Sequence, residues 1–74
     1  MMERIEDANP EDYIGGWVWK VVDGMQFSGF VRSENGRYYL EDEYGRRTEL
    51  GDGDIIVPYP DFDPDLKFRI KYPR

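Results

Sequence analysis

Two dipeptides constrain the fold of this chain more than any other feature: Asp23-Gly24 and Asn35-Gly36. Each is a type I′ hairpin signal, because both central residues of that turn need positive φ, which Asp, Asn and Gly tolerate and most residues do not. The runs around them are rich in Trp, Val, Phe and Tyr, which suit a pleated, half-buried surface. Two-residue loops leave no freedom of register, so Val22 faces Met25 and Glu34 faces Arg37. The first three strands then form a meander whose faces can be read directly. One face collects Val18, Val22, Met25, Phe27, Gly29, Val31, Tyr38 and Leu40. The other collects Trp17, Trp19, Val21, Gln26, Ser28, Phe30, Arg32, Tyr39 and Glu41. The first is nearly all apolar and is the predicted core face. Lys20, opposite Phe27, interrupts it and belongs at its rim unless the register differs.

The flanking segments extend this pattern. Asn9-Pro10-Glu11-Asp12 has the order of a helix start, with Asn9 as cap, Pro10 where a missing N–H costs nothing, and acids facing the positive end. Gly15-Gly16 ends it after about one turn. Strands are expected at about 16–22, 26–33, 37–42, 46–50, 54–59 and 66–72. In the last, Leu66, Phe68, Ile70 and Tyr72 alternate with Lys67, Arg69 and Lys71, so the apolar set faces inward and the cations face solvent. The predicted architecture is all-β: a small SH3-like or similar barrel of five to six antiparallel strands with one short N-terminal helical turn. Residues 1–74 form one domain in this reading, with an acidic arm and helical turn over 1–12 and the barrel over 13–74. A chain of 74 residues hides only about 60% of its unfolded surface. There is no cysteine to staple it, so twelve aromatic residues must supply much of the core.

Several chemistries are disfavoured by what is missing. With no histidine and no cysteine, the commonest general base and the usual zinc ligands are gone. Asp61-Phe62-Asp63-Pro64-Asp65 has the acid spacing of a calcium loop, but Leu66 stands where that loop needs glycine and Tyr72 where it needs glutamate. Gly51-Asp52-Gly53-Asp54 is a turn rather than a phosphate cradle, because its carboxylates repel phosphate and no lysine follows. No enzyme activity, metal or cofactor is expected. The charged N-terminus has no apolar core of a leader, and no stretch approaches the roughly 20 apolar residues of a membrane span. A cytoplasmic protein that avoids membranes is expected, as a monomer or small homo-oligomer.

Charge is sorted along the chain. Residues 41 to 65 carry nine carboxylates, Glu41, Asp42, Glu43, Glu49, Asp52, Asp54, Asp61, Asp63 and Asp65, against two arginines. The net charge of −6 repels nucleic acid and draws basic partners. On turns such acids confer solubility; along one side they imitate a phosphate backbone and steer a basic groove toward them. Trp17, Trp19, Phe30 and Tyr39 also leave two readings open. They form a platform for a basic or proline-rich peptide or a methylated lysine, or they are covered by the N-terminal turn or the other half of the barrel.

Gly53-Asp54-Ile55-Ile56-Val57, with Tyr59-Pro60 and Pro64-Asp65-Leu66, resembles the C-terminal part of small uncharacterised phage and prophage proteins, which have a Gly-Asp-aromatic-Ile/Val strand and then a Tyr-Pro/Pro-Asp segment. This chain lacks their glycine-containing spacer and has Ile55 in place of the aromatic. The resemblance implies a viral origin and no particular activity. In general character the chain is similar to anti-CRISPR and other anti-defence inhibitors, without a shared motif. The leading expectation is a non-enzymatic, phage-encoded inhibitor whose acidic side occupies a basic nucleic-acid-binding surface on a larger protein or nucleoprotein complex. The alternative is an SH3/Tudor-like adaptor that reads a basic or proline-rich peptide with its aromatics.

Overall fold

The computed structural model describes residues 4–59 and 66–73. Over these the chain forms β1 (Arg4–Ala8), a 3-10 turn (Pro10–Tyr13), β2 (Trp17–Val22), β3 (Met25–Glu34), β4 (Arg37–Glu41), β5 (Arg47–Leu50), β6 (Ile55–Pro58) and β7 (Leu66–Ile70). The strands make one sheet in the order β1-β7-β6-β2-β3-β4-β5. The all-β class and the short N-terminal turn are as the sequence predicts. Asn9 caps that turn, its side chain accepting the Glu11 N–H at 2.9 Å.

Both hairpins have the expected geometry. Asp23 and Asn35 sit at φ 50° and 53°, each followed by glycine at positive φ. The predicted register follows: Val22 faces Met25, Lys20 faces Phe27, and Glu34 faces Arg37. Val18, Val31, Tyr38 and Leu40 of the predicted core face are buried with Leu50, Ile56 and Ile70 from the later strands. Val22 and Met25, by contrast, are exposed, because the β2–β3 hairpin runs past the end of the packed region.

The barrel differs from expectation in how it ends. Among the described residues the sheet has seven strands, and β1 and β5 are its outer members with no ladder between them. The predicted closed barrel is therefore an open sheet curled around its core. Side chains bridge the gap that a ladder would close. The Tyr72 hydroxyl donates to the Leu50 carbonyl, and the Lys20 ammonium donates to the Glu49 carbonyl. Both reach β5 from elements across the core. At Gly29 the strands approach closely: a Cβ there would lie 2.8 Å from backbone atoms of Glu41 on β4. Only a residue without a side chain lets the two strands cross so closely.

Two further corrections concern particular residues. The segment expected to be an acidic arm contains β1, which runs parallel to β7 with Arg4 opposite Leu66 and Ala8 opposite Ile70. Lys20 is not at a rim: it is 9% exposed and its ammonium lies 2.8 Å from Asp54 Oδ2. A lysine can enter the core face here because its charge meets a carboxylate and a carbonyl at the far end of its stem. No helix of the described residues is long and apolar enough to cross a membrane.

Candidate functional site

The outer face of the sheet carries an aromatic groove. Trp17 and Trp19 are two residues apart on β2 and project to the same side, away from buried Val18. Trp17 pairs with Phe30 on β3. On its other flank the Trp17 carbonyl accepts the Tyr59 N–H at 2.9 Å, just beyond the β2–β6 ladder. Tyr59, Trp17 and Phe30 thus form a row across three adjacent strands, with Trp19 one step along. The rings of Trp17 and Phe30 meet edge to face, 4.9 Å between centroids, and those of Trp19 and Tyr59 lie 6.2 Å apart. The four side chains line a cavity of about 460 Å³. Tyr59 is 55% exposed and Phe30 39%, while both tryptophans are half-buried.

Three of the four aromatics picked from the sequence are therefore together, Phe30 exposed and the two tryptophans half-buried. The fourth, Tyr39, lies on the same face opposite Arg32, and its ring is under the Arg47 guanidinium at 4.7 Å. Tyr59 takes its place in the groove. It was missed because the β2–β6 pairing joins segments separated by two hairpins, and no local turn announces it. The apolar surface continues past Trp19 to a second hollow lined by Ile5, Val21, Ile55, Val57 and Lys67. Val57 lies opposite Trp19 in the ladder, which makes the two patches contiguous.

Among the described residues, arginines and glutamates beside the groove are paired. Arg32 lies over the Phe30 ring at 5.5 Å and 3.9 Å from Glu41. Glu41 is also 3.7 Å from Arg47, which in turn is 3.4 Å from Glu34. Arginine and glutamate thus alternate through this cluster.

The acidic run is divided among different tasks. Asp42 Oδ1 accepts the N–H groups of Tyr44 and Arg46, which forms the β4–β5 turn. Asp52 accepts the Tyr72 N–H at 2.8 Å. Asp54 accepts the Gly51 N–H and pairs with Lys20. Glu41 belongs to the arginine cluster above, and Glu43 and Glu49 are exposed. Asp61, Asp63 and Asp65 lie outside the described residues. Among the described residues no group of three or more potential metal-ligating side chains converges. Comparison with protein-family models, with curated proteins and with solved structures returns no match.

Proposed function

We propose that this chain is a non-enzymatic protein-interaction module that docks on a protein partner through the groove of Trp17, Trp19, Phe30 and Tyr59. The observation that supports this most is a cluster of four large aromatics, two exposed and two half-buried, on one face of a chain rich in charge. Aromatic side chains bury much apolar area at low entropic cost, and they dominate the energetics of protein interfaces. The net charge of −6 favours a partner that is basic overall, because long-range attraction speeds encounter while the groove supplies contact energy.

Native tryptophan emission tests the openness of the groove: red-shifted, readily quenched emission supports it, and blue-shifted, quencher-resistant emission counts against it. Tyr59→Ala and Phe30→Ala, both exposed positions, should weaken capture of the partner while leaving the fold intact. Capture that is unaffected by either change removes the groove from the account.

The charge favours a second reading of what the partner does. A cytoplasmic partner whose basic surface holds nucleic acid would be inhibited by stoichiometric occupation, the role of a phage-encoded, anti-CRISPR-like protein. Exposed Glu43 and Glu49, with Asp61, Asp63 and Asp65 in the sequence, supply the charge for it. In that case capture weakens as salt rises and on charge reversal of those five acids. Binding indifferent to both leaves the groove as the whole interface.

A further inference from the structure

We infer that two copies of this chain pair through the outer edge of β5, antiparallel about a two-fold axis at Thr48, so that one sheet continues into the next. Among the described residues β5 has a strand partner, β4, on one side only. The direction of its backbone groups follows from the β4–β5 turn. The Asp42 N–H donates to the Arg46 carbonyl, so this pair faces inward across the ladder, and so does the pair two residues on, Leu40 with Thr48. The N–H and C=O groups of Arg47 and Glu49, on either side of Thr48, therefore point away from β4. The Lys20 ammonium agrees with that direction, since it reaches the Glu49 carbonyl from across the core. A carbonyl oxygen has a second lone pair for another donor.

An edge of this kind is a template for a further strand, and its side chains say which strand fits. Only residues that both point outward can face each other in a new ladder, which restricts the registers of β5 against itself. Arg47 opposite Arg47 sets like charges together, and Glu49 opposite Glu49 does the same. In the remaining register Arg47 of each copy faces Glu49 of the other, and Thr48 meets Thr48 on the axis. Each Arg47–Glu49 pair then exchanges backbone hydrogen bonds and joins opposite charges, and the threonines form a cross-strand pair of a stabilising kind. A patch that complements itself in this way is what a two-fold interface requires. It makes a second copy the occupant, rather than an unrelated strand.

The edge is open to such a partner. The Arg47 side chain is 57% exposed, and Glu49 is exposed. Thr48, although turned to the core side with Leu40, is only half-buried. The two side chains that bridge the gap in the sheet, Lys20 and Tyr72, meet β5 toward its end, at Glu49 and Leu50. Arg47 lies 3.4 Å from Glu34 and 3.7 Å from Glu41, but a guanidinium has N–H donors enough to serve a further carboxylate. The net charge of −6 opposes association at long range, so the pair forms as concentration rises rather than in dilute solution.

The test uses the full chain and two substitutions, R47E and E49R. In sedimentation, the mass of the unaltered chain should rise from 8.8 kDa toward twice that value between micromolar and millimolar protein. Each variant alone sets like charges in both facing pairs, and should self-associate at least about tenfold more weakly. Mixed in equal amounts, the two should pair with each other, because the acid introduced by one faces the arginine introduced by the other. Should either variant fail to fold, amide exchange in the unaltered chain decides. Exchange of the Arg47 and Glu49 N–H groups should slow as concentration rises, while that of Thr48, already turned to β4, stays the same. A chain that remains monomeric at millimolar concentration overturns the inference. So does a dimer indifferent to both substitutions, a mixture no more associated than its parts, or concentration-dependent protection at β1 in place of β5.

Discussion

Replacing Gly29 by alanine tests the tight curl of the sheet. The backbone of Gly29 is not in the left-handed region, so the substitution brings no conformational penalty and its effect is steric. The new methyl would meet Glu41 backbone atoms at 2.8 Å, and an ordinary contact begins at 3.4 Å. The strands must therefore part by about 0.6 Å at the Phe30–Glu41 step, which stretches a ladder bond of about 2.9 Å to the limit of useful length. Overpacking of this kind costs about 1–3 kcal/mol. Weakening one or two ladder bonds adds about 1 kcal/mol, while the lower backbone entropy of alanine returns about 0.5–1 kcal/mol. The net loss is about 1–3.5 kcal/mol, from a total of about 4–11 kcal/mol for a chain of this length. With a urea slope of about 1 kcal/mol/M, the unfolding midpoint followed by tryptophan fluorescence should fall by about 1–3.5 M. Gly51→Ala is the control, since its methyl would meet Asp54 at an ordinary 3.5 Å. If the two variants unfold within about 0.5 M of each other, the curl does not depend on the close crossing.

Two other perturbations test the interior. Lys20→Met keeps the apolar stem but leaves Asp54 without its ion pair; with Asp54 about a quarter exposed, the loss should be about 2 kcal/mol, below the 3–5 kcal/mol of a fully buried pair. Adding Asp54→Asn should recover part of it, a coupling that a double-mutant cycle in urea measures. Tyr38 donates from its hydroxyl to Glu11 Oε1 at 3.0 Å, and burial first, then this bond to a carboxylate, hold the phenol above its ordinary value of 10.0. Folding therefore favours the protonated phenol, so its contribution is complete below about pH 10 and is lost as pH rises through the folded value. Tyr38→Phe should lower the denaturation midpoint at neutral pH, because the bond to Glu11 is lost, and show a shallower alkaline decline in that midpoint. Tyr13, raised by burial and by Asp12 and Glu6, keeps its own share of that decline.

What the sequence discloses here is what short-range chemistry determines. Asp23-Gly24 and Asn35-Gly36 force a turn type, the turn type forces register, and register sorts Val18, Val31, Tyr38 and Leu40 from Trp17, Trp19 and Phe30 with no knowledge of the rest. Strand β1 was hidden because Arg4-Ile5-Glu6-Asp7-Ala8 has almost no apolar alternation; its partner, β7, supplies the ladder instead. The burial of Lys20 is not legible locally because its neutralising groups, Asp54 and the Glu49 carbonyl, belong to a turn and strand far along the chain. The same distance hid Tyr59. The acidic residues show the limit of composition as a guide, since Asp42, Asp52 and Asp54 shape turns and tails as much as they contribute charge.

The parallel ladder of β1 with β7 has a consequence for the order in which the molecule can assemble. Arg4 finds its place only when Leu66 exists to receive it, whereas β2, β3 and β4 are joined by two-residue turns and need nothing beyond themselves to align. Closing so wide a loop is entropically slow. On a ribosome the meander can form while the chain is still being made, but β1, synthesised before it, is among the last to be seated.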